Sequence, residues 1–284
     1  MSFSKKDLIV SLVCIVFILA SLGSVGSSGR RRAKEALCLS NLRRWGNVFL
    51  AFAEDNDGYF MRGWWPGWPE GPKHTDYWME ALRPYYGNPD LRCCPTATKP
   101  GTNADGTPDL GAGRGAFSAW GVFPSADQCG EPASWWGAVT ACDYGSYGMN
   151  AWACNPPVDF PYIQGRDVLR NNWRTANVAG GQDIPVLIGA QWIEAWPDST
   201  DEIPSYDGEP WGPYSDYSHM VRVCMNRHSG CVNSAFLDAS ARKVPLKCLW
   251  KLNWHRTIDP DHGPTEEEFN SAGHGWMAEF PPCE

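Results

Sequence analysis

No Cys-x2-Cys pair occurs in the 284 residues, no His-Glu-x-x-His, no glycine-rich phosphate loop after a strand, and no activated-nucleophile motif. The absences remove the usual signatures of zinc ribbons, zinc hydrolases, nucleotide-dependent enzymes and covalent hydrolases. No catalytic or cofactor-binding residue is therefore expected, and the protein is not read as an enzyme. Positive charge is also scarce: 24 Lys and Arg stand against 32 Asp and Glu, a net charge of −8. The basic residues are scattered apart from Arg30, Arg31 and Arg32, so no continuous surface exists to neutralise phosphates, and a nucleic-acid partner is excluded. Aliphatic residues are few and glycines many between residues 96 and 143, which marks that stretch as an irregular insertion.

Long apolar runs are missing with one exception, Leu8 to Val25, which follows Lys5, Lys6 and Asp7. As a helix this run would rise about 27 Å, close to the thickness of a bilayer core. A long helix, continuous or nearly so from about Asp7 to about Asp55, is expected, with Gly23, Gly26 and Gly29 as the place where a break or flexible joint can form before the basic cluster. From Ala33 to Ala53, Cys38, Leu42, Trp45, Phe49 and Phe52 recur at four- and three-residue intervals, the spacing of one helical face. Glu35, Asn41, Arg43, Arg44 and Asn47 fall largely elsewhere, and Asp57-Gly58 supplies the stop. The leading segment reads as a cleaved secretory signal, with small residues around Ser21-Leu22-Gly23 or Ser24-Val25-Gly26, or as an uncleaved anchor. The positive residues Arg30 to Arg32 oppose export of an anchored chain, and the ectodomain cysteines outweigh that bias.

Of eleven cysteines, Cys14 lies in the apolar run, leaving Cys38, Cys93, Cys94, Cys129, Cys142, Cys154, Cys224, Cys231, Cys248 and Cys283. Ten half-cystines in a loop-rich domain suit disulfide staples in an exported protein, with zinc the competing use. The 16 tryptophans include the loop around Trp64, Trp65 and Trp68 and the pair Trp135-Trp136. Such rings serve cores, interfaces or stacking platforms for sugars, and composition does not separate these uses.

In the remainder, Asp76 is expected to cap a short helix Tyr77 to Arg83, with Trp78 and Leu82 on one neighbour. Strands are expected at Ala116 to Phe123, Ile184 to Ile193, His219 to Arg227, Cys231 to Leu237 and Ala241 to Leu249. Thr265-x-x-Glu268 predicts a capped helix near the C-terminus. His228 and Asp238, with nine residues between them, are accounted for by a hydrogen bond across a hairpin without catalysis. The turn after Asp238 is less comfortable with Ala239 than with glycine, because alanine resists positive φ.

Lys6-Asp7-Leu8-Ile9-Val10, the apolar run, Arg31-Arg32-Ala33-Lys34-Glu35, Cys38-Leu39-Ser40-Asn41-Leu42 and Asp55-Asn56-Asp57-Gly58-Tyr59-Phe60 together resemble the type IV pilin-like superfamily. Type II secretion pseudopilins and their prepilin-like relatives look most similar. Tyr85-Tyr86, Cys94-Pro95, Tyr147-Gly148-Met149-Asn150 and His228-x9-Asp238-Ala239 extend the resemblance, with Ala239 where those relatives have glycine. Phe3 and Asp7 map onto the family's first aromatic and fifth-position acid, whereas Ser2 replaces the glycine of the processing site and Ala190-Gln191 replace an acid closing a strand. The resemblance implies a bridge from Cys38 to Cys93 or Cys94, and assembly through Phe3, Asp7, Leu8, Val10, Leu12, Val16 and Leu19. It also makes calcium a candidate ion for Asp198 to Glu202, Asp207 to Glu209 and Asp259 to Asp261; solvated surface loops are the favoured explanation of these runs. Asp55 to Gly58 has the opening donors of a calcium loop without its later glutamate.

The expected fold is α+β. A stalk of residues 1–58, transmembrane or filament-forming over about 7–25 and amphipathic over about 30–57, packs on a small antiparallel sheet. That sheet belongs to an extracytoplasmic domain of residues 59–284 with long disulfide-stapled loops. The expected role is a structural subunit of a bacterial extracellular filament or pseudopilus, partnered by copies of itself or other pilin-like subunits and by the inner membrane before assembly. The alternative is a tethered or secreted Trp-rich module that binds a carbohydrate or a protein.

Overall fold

The computed structural model describes residues 5–65, 74–102, 108–109, 115–121, 144–210, 218–271 and 273–283, with side chains described for all of these except 5–10, 16–25, 101–102 and 108–109. The chain is mixed α+β. Helix α1, Lys5–Asp55, is uninterrupted over 51 residues, a rod of about 76 Å. The long helix expected from about Asp7 to about Asp55 is formed, without the break that Gly23 to Gly29 allow. A single glycine costs a helix only about 1 kcal/mol relative to alanine, and long helical segments on both sides continue through these three. Among the described residues no helix is long and apolar enough to cross a membrane.

The helical face expected for residues 38 to 52 is formed. Cys38, Leu42, Trp45 and Phe49 are buried and Phe52 is half-buried, whereas Arg43, Arg44 and Asn47 are exposed. Trp45 donates Nε1–H to the Leu91 carbonyl at 2.7 Å and meets Trp78 edge-on, with ring centroids 5.2 Å apart. Asp57 and Gly58 take φ of 55° and 86°, and the Gly58 N–H returns to the Ala53 carbonyl at 2.7 Å. That bond closes the helix as the Asp-Gly pair predicts.

The strands, in chain order, are β1 Gly101–Thr102, β2 Pro108–Asp109, β3 Trp120–Gly121, β4 Tyr144–Gly145, β5 Tyr147–Asn150, β6 Tyr162–Ile163, β7 Arg166–Asp167, β8 Pro185–Gly189, β9 Glu194–Ala195, β10 Cys231–Phe236 and β11 Ala241–Pro245. The main sheet has the order β11-β10-β8-β5-β9, antiparallel except for the parallel β5–β9 pair. Helix α1 lies across β8, β10 and β11. Along β10 and just beyond it, Ala235 and Leu237 join the core on the helix side, while Val232 and Phe236 join a second core around Trp250 and Trp254. This is the period-two alternation of a strand buried on both faces. At the tip of the β10–β11 hairpin the helix comes so close that a Cβ on Gly46 would stand 2.7 Å from Ala239 Cα.

Several local expectations are corrected. His219 to Arg227 is not a strand: Met220–Arg222 forms a 3-10 turn, because this stretch is buried nearly throughout and its side chains bond to the backbone in and just after β9. His219 Nδ1 accepts from the Trp196 N–H at 3.1 Å, and Arg222 Nη1 donates to the Glu194 carbonyl at 3.1 Å. The strand from Ala241 stops at Pro245, a residue with no N–H to donate, and Leu246–Lys251 continues as a 3-10 helix. The strand expected from Ile184 to Ile193 covers only Pro185–Gly189. Near Ala116 only Trp120–Gly121 is extended, and Phe123 lies outside the described residues.

Helix α2 is Trp78–Ala81, one turn shorter than expected, with no side-chain cap; Asp76 instead accepts the Trp65 indole N–H at 3.3 Å. Trp78 and Leu82 are buried as their spacing predicts. After α3, Val168–Asn171, the C-terminal α4, Glu266–Phe269, carries the full Thr265–Glu268 capping box.

Among the described residues disulfide stapling is sparser than expected. Cys248 and Cys283 are joined across 35 residues of sequence. Cys38, Cys93, Cys94, Cys154, Cys224 and Cys231 are buried thiols, packed as small hydrophobes. Cys129 and Cys142 lie outside the described residues.

Candidate functional site

Two regions stand out. The first is the free length of α1. Leu12, Val13 and Ile15 are 64, 59 and 53% exposed, and every residue from Gly26 to Lys34 is exposed. Cys38 is the first buried residue along the described part of the helix. Among the residues expected to drive assembly, Leu12 is therefore exposed; Asp7, Leu8, Val10, Val16 and Leu19 are helical with side chains outside the description, and Phe3 lies outside it altogether.

The second region is where four separate stretches of the expected motif set converge beneath that helix. Cys38 from α1, Cys94 from the loop after Pro89–Arg92, and His228 just before β10 bring Sγ, Sγ and Nε2 within 4.8 Å of one another, all buried. His228 Nε2 is 3.3 Å from Cys94 Sγ, and Thr96 Oγ1 is 3.0 Å from the same sulfur. Tyr147 on β5 donates its hydroxyl to Cys38 Sγ at 3.2 Å. The other motif residue on that strand, Asn150, is structural: its amide donates to the Pro185 and Trp254 carbonyls at 2.9 Å each.

Arg227 is buried beside this cluster. Its guanidinium donates to the carbonyls of Ala116 at 2.6 Å, Ser146, and Ala190 at 3.4 Å. Burial lowers its affinity for a proton, and the groups that counter this are Cys94, Cys38, Tyr147 and Cys93. Desolvation likewise pushes Cys38 and Tyr147 far up. Cys94 is the exception. Burial alone would raise it, but hydrogen bonds with Cys38 and His228 and the positive charge of Arg227 hold it well below the ordinary thiol range.

Two sulfurs and an imidazole are donors that a zinc ion accepts. No fourth His, Cys, Asp or Glu among the described residues completes a tetrahedral set.

The expected His228–Asp238 bond is not made. The two residues stand at opposite ends of β10, and exposed Asp238 accepts the Ser240 N–H at 2.9 Å inside its own turn. The acidic runs proposed for calcium are occupied with local contacts. Asp198 holds His255 Nε2 at 3.0 Å, Asp207 accepts the Asn226 N–H at 2.8 Å, and Asp259 accepts the Asp261 N–H at 3.1 Å. Trp64 meets Trp196 edge-on and Trp65 packs on Phe160, so both contribute to cores; Trp68, Trp135 and Trp136 lie outside the described residues. A group that sequence reading missed is Glu194, whose carboxyl is buried and raised to about 7 by desolvation.

Comparison of the chain with family models, with curated proteins and with solved structures returned no match.

Proposed function

We propose that the chain is a non-catalytic, pilin-like structural subunit of a bacterial extracellular filament or type II secretion-type pseudopilus. It assembles with copies of itself or other pilin-like subunits through the N-terminal half of α1, and that half is held in the inner membrane before assembly. The observation that carries this reading is a helix of 51 residues whose burial against the domain begins only at Cys38. The preceding 33 helical residues extend about 50 Å, and their described side chains are exposed, apolar ones included, apart from half-buried Glu35, which pairs with Lys243 on β11. At about 0.8 kcal/mol per buried CH₂, the leucines, isoleucines and valines of residues 8 to 25 supply tens of kcal/mol once covered by lipid or by neighbouring helices. Asp7 separates the two settings, because a bundle can pair it with a neighbour's terminal amine while lipid penalises it unless it reaches the interface.

The alternative of a Trp-rich binding module is weaker, because Trp64 and Trp65 are engaged in packing. Electron microscopy of material sheared from the cell surface, with N-terminal peptide sequencing of the same preparation, tests the proposal. Filaments containing this chain with the residue 8 to 25 segment retained are expected. Recovery only as a soluble monomer beginning near Ser24 or Ser27 refutes it.

A further inference from the structure

We infer that Cys38 and Cys94 are partners in a disulfide that locks the stalk helix to the sheet, and that His228, the histidine of the His-x9-Asp pattern, is the proton acceptor that enables Cys94 to start its formation. The inference does not depend on filament assembly. It rests on the meeting of the two sulfurs and the imidazole within 4.8 Å in a fully buried site. Cys93, adjacent in sequence, lines instead the groove of about 610 Å³ between α1 and the Asn88 to Pro95 loop, together with Asn41, Arg44 and Tyr144. Its thiol is pushed up to about 12 by burial, whereas Cys94 is held in the opposite direction by its neighbours.

The chemistry follows from which parts belong to the domain. Cys94, Thr96, Arg227 and His228 all lie outside α1, so a state with α1 undocked leaves Cys94 open to an oxidant. In that open state the Cys94 thiol passes its proton to His228 Nε2, and the thiolate attacks the disulfide bond of an oxidant of the glutathione or protein-disulfide class. A mixed disulfide forms on Cys94, and one thiolate of the oxidant leaves and takes up a proton. Docking of α1 then delivers Cys38, which loses its proton and attacks Cys94 Sγ, expelling the oxidant's second sulfur as a thiol. Two cysteine thiols give up two electrons and two protons, and one oxidant disulfide becomes two thiols. Once closed, the bond lies beneath α1, where soluble thiols do not reach it.

A metal is the competing occupant of the same donors. Three protein ligands in a buried site, beside a buried guanidinium whose acceptors are the carbonyls of Ala116, Ser146 and Ala190 and the Met225 sulfur, with no carboxylate among them, favour the sulfur–sulfur bond over a divalent cation.

The test is refolding of the full-length reduced chain in detergent with oxidised glutathione, followed by alkylation and peptide mass spectrometry. A Cys38–Cys94 linked peptide is expected, unchanged in Cys93→Ser. Cys38→Ser is expected to accumulate a glutathione adduct on Cys94, a readout that does not require complete folding. His228→Gln, checked by circular dichroism, is expected to slow closure about ten-fold at pH 7 and to shift the rate profile to higher pH, because an ordinary thiol is only a few per cent ionised there. Linkage of Cys38 to Cys93, both thiols remaining free, or one zinc per chain retained by the natively purified protein and lost in Cys94→Ser would each overturn the inference.

Discussion

Ala239 offers a measurement that separates backbone strain from side-chain packing. It sits at φ 63° in the β10–β11 turn, a left-handed conformation that costs a non-glycine residue about 1–2 kcal/mol. Ala239→Gly removes that cost and adds about 0.5–1 kcal/mol of unfolded-state entropy, leaving a net gain of about 0.5–1 kcal/mol. For a domain of this size that is a rise of about 1–4 °C in melting temperature, readable from intrinsic tryptophan fluorescence of the full-length chain. The helix facing this turn gives the counterpart. Gly46→Ala would place its Cβ 2.7, 3.1 and 3.2 Å from the Ala239 Cα, O and carbonyl carbon. Relieving such an overlap costs about 1–3 kcal/mol, against a helix-propensity gain of about 1 kcal/mol. These three contacts are backbone atoms that glycine also possesses. Ala239→Gly therefore does not rescue Gly46→Ala, and the two effects are expected to add. A lower melting temperature for Ala239→Gly, or rescue in the double variant, would refute the reasoning.

Three further outcomes can be checked. Trp45→Ala removes a fully buried indole and its bond to the Leu91 carbonyl, and should cost about 3–5 kcal/mol by chemical denaturation, freeing α1 for amide exchange from Cys38 onward. Burial raises Glu194 from 4.5 to about 7 and Asp201 from 3.8 to about 7. Groups raised on folding stabilise fully below their unfolded values and lose that contribution as pH rises through the folded ones. Stability should thus fall between pH 5 and 7.5, with Glu194 accounting for up to about 3 kcal/mol; a urea midpoint that climbs in this window, or a slope unaltered in Glu194→Gln, contradicts the assignment. Replacing Cys248 and Cys283 together by serine releases a cross-link over 35 residues and should lower the urea midpoint by the equivalent of about 2–4 kcal/mol.

The helix face at Cys38, Leu42, Trp45 and Phe49 was legible because burial on one side of a helix imposes a period that nothing else in the chain imitates. The Thr265 to Glu268 box and the Asp57-Gly58 stop were legible for a similar reason, since each is complete within four residues. His219 to Arg227 misled because continuous burial erases the alternation that distinguishes a strand from a packed turn. The approach of Cys38 to Cys94 was within the expectations drawn from the resemblance, but the arrival of His228 beside them was beyond reach, because Cys94 and His228 are 134 residues apart and no local spacing encodes their meeting. Gly46 gave no signal either: its need for a bare Cα comes from a hairpin almost two hundred residues later.

The unbroken α1 also has a mechanical reading. Gly26 and Gly29 stand in open space, with nothing within 4 Å of where a side chain would begin, so only their own hydrogen bonds resist unwinding. Further along, Trp45 and its neighbours clamp the helix to the sheet. Under a pull along the axis, each residue that uncoils lengthens from about 1.5 Å to about 3.4 Å, and residues 23–29 together release about 13 Å. The rod is thus a spring with its compliant section set apart from its clamp: under a steady pull the glycine segment is expected to lengthen first, while the clamped section carries the same tension with its packing intact.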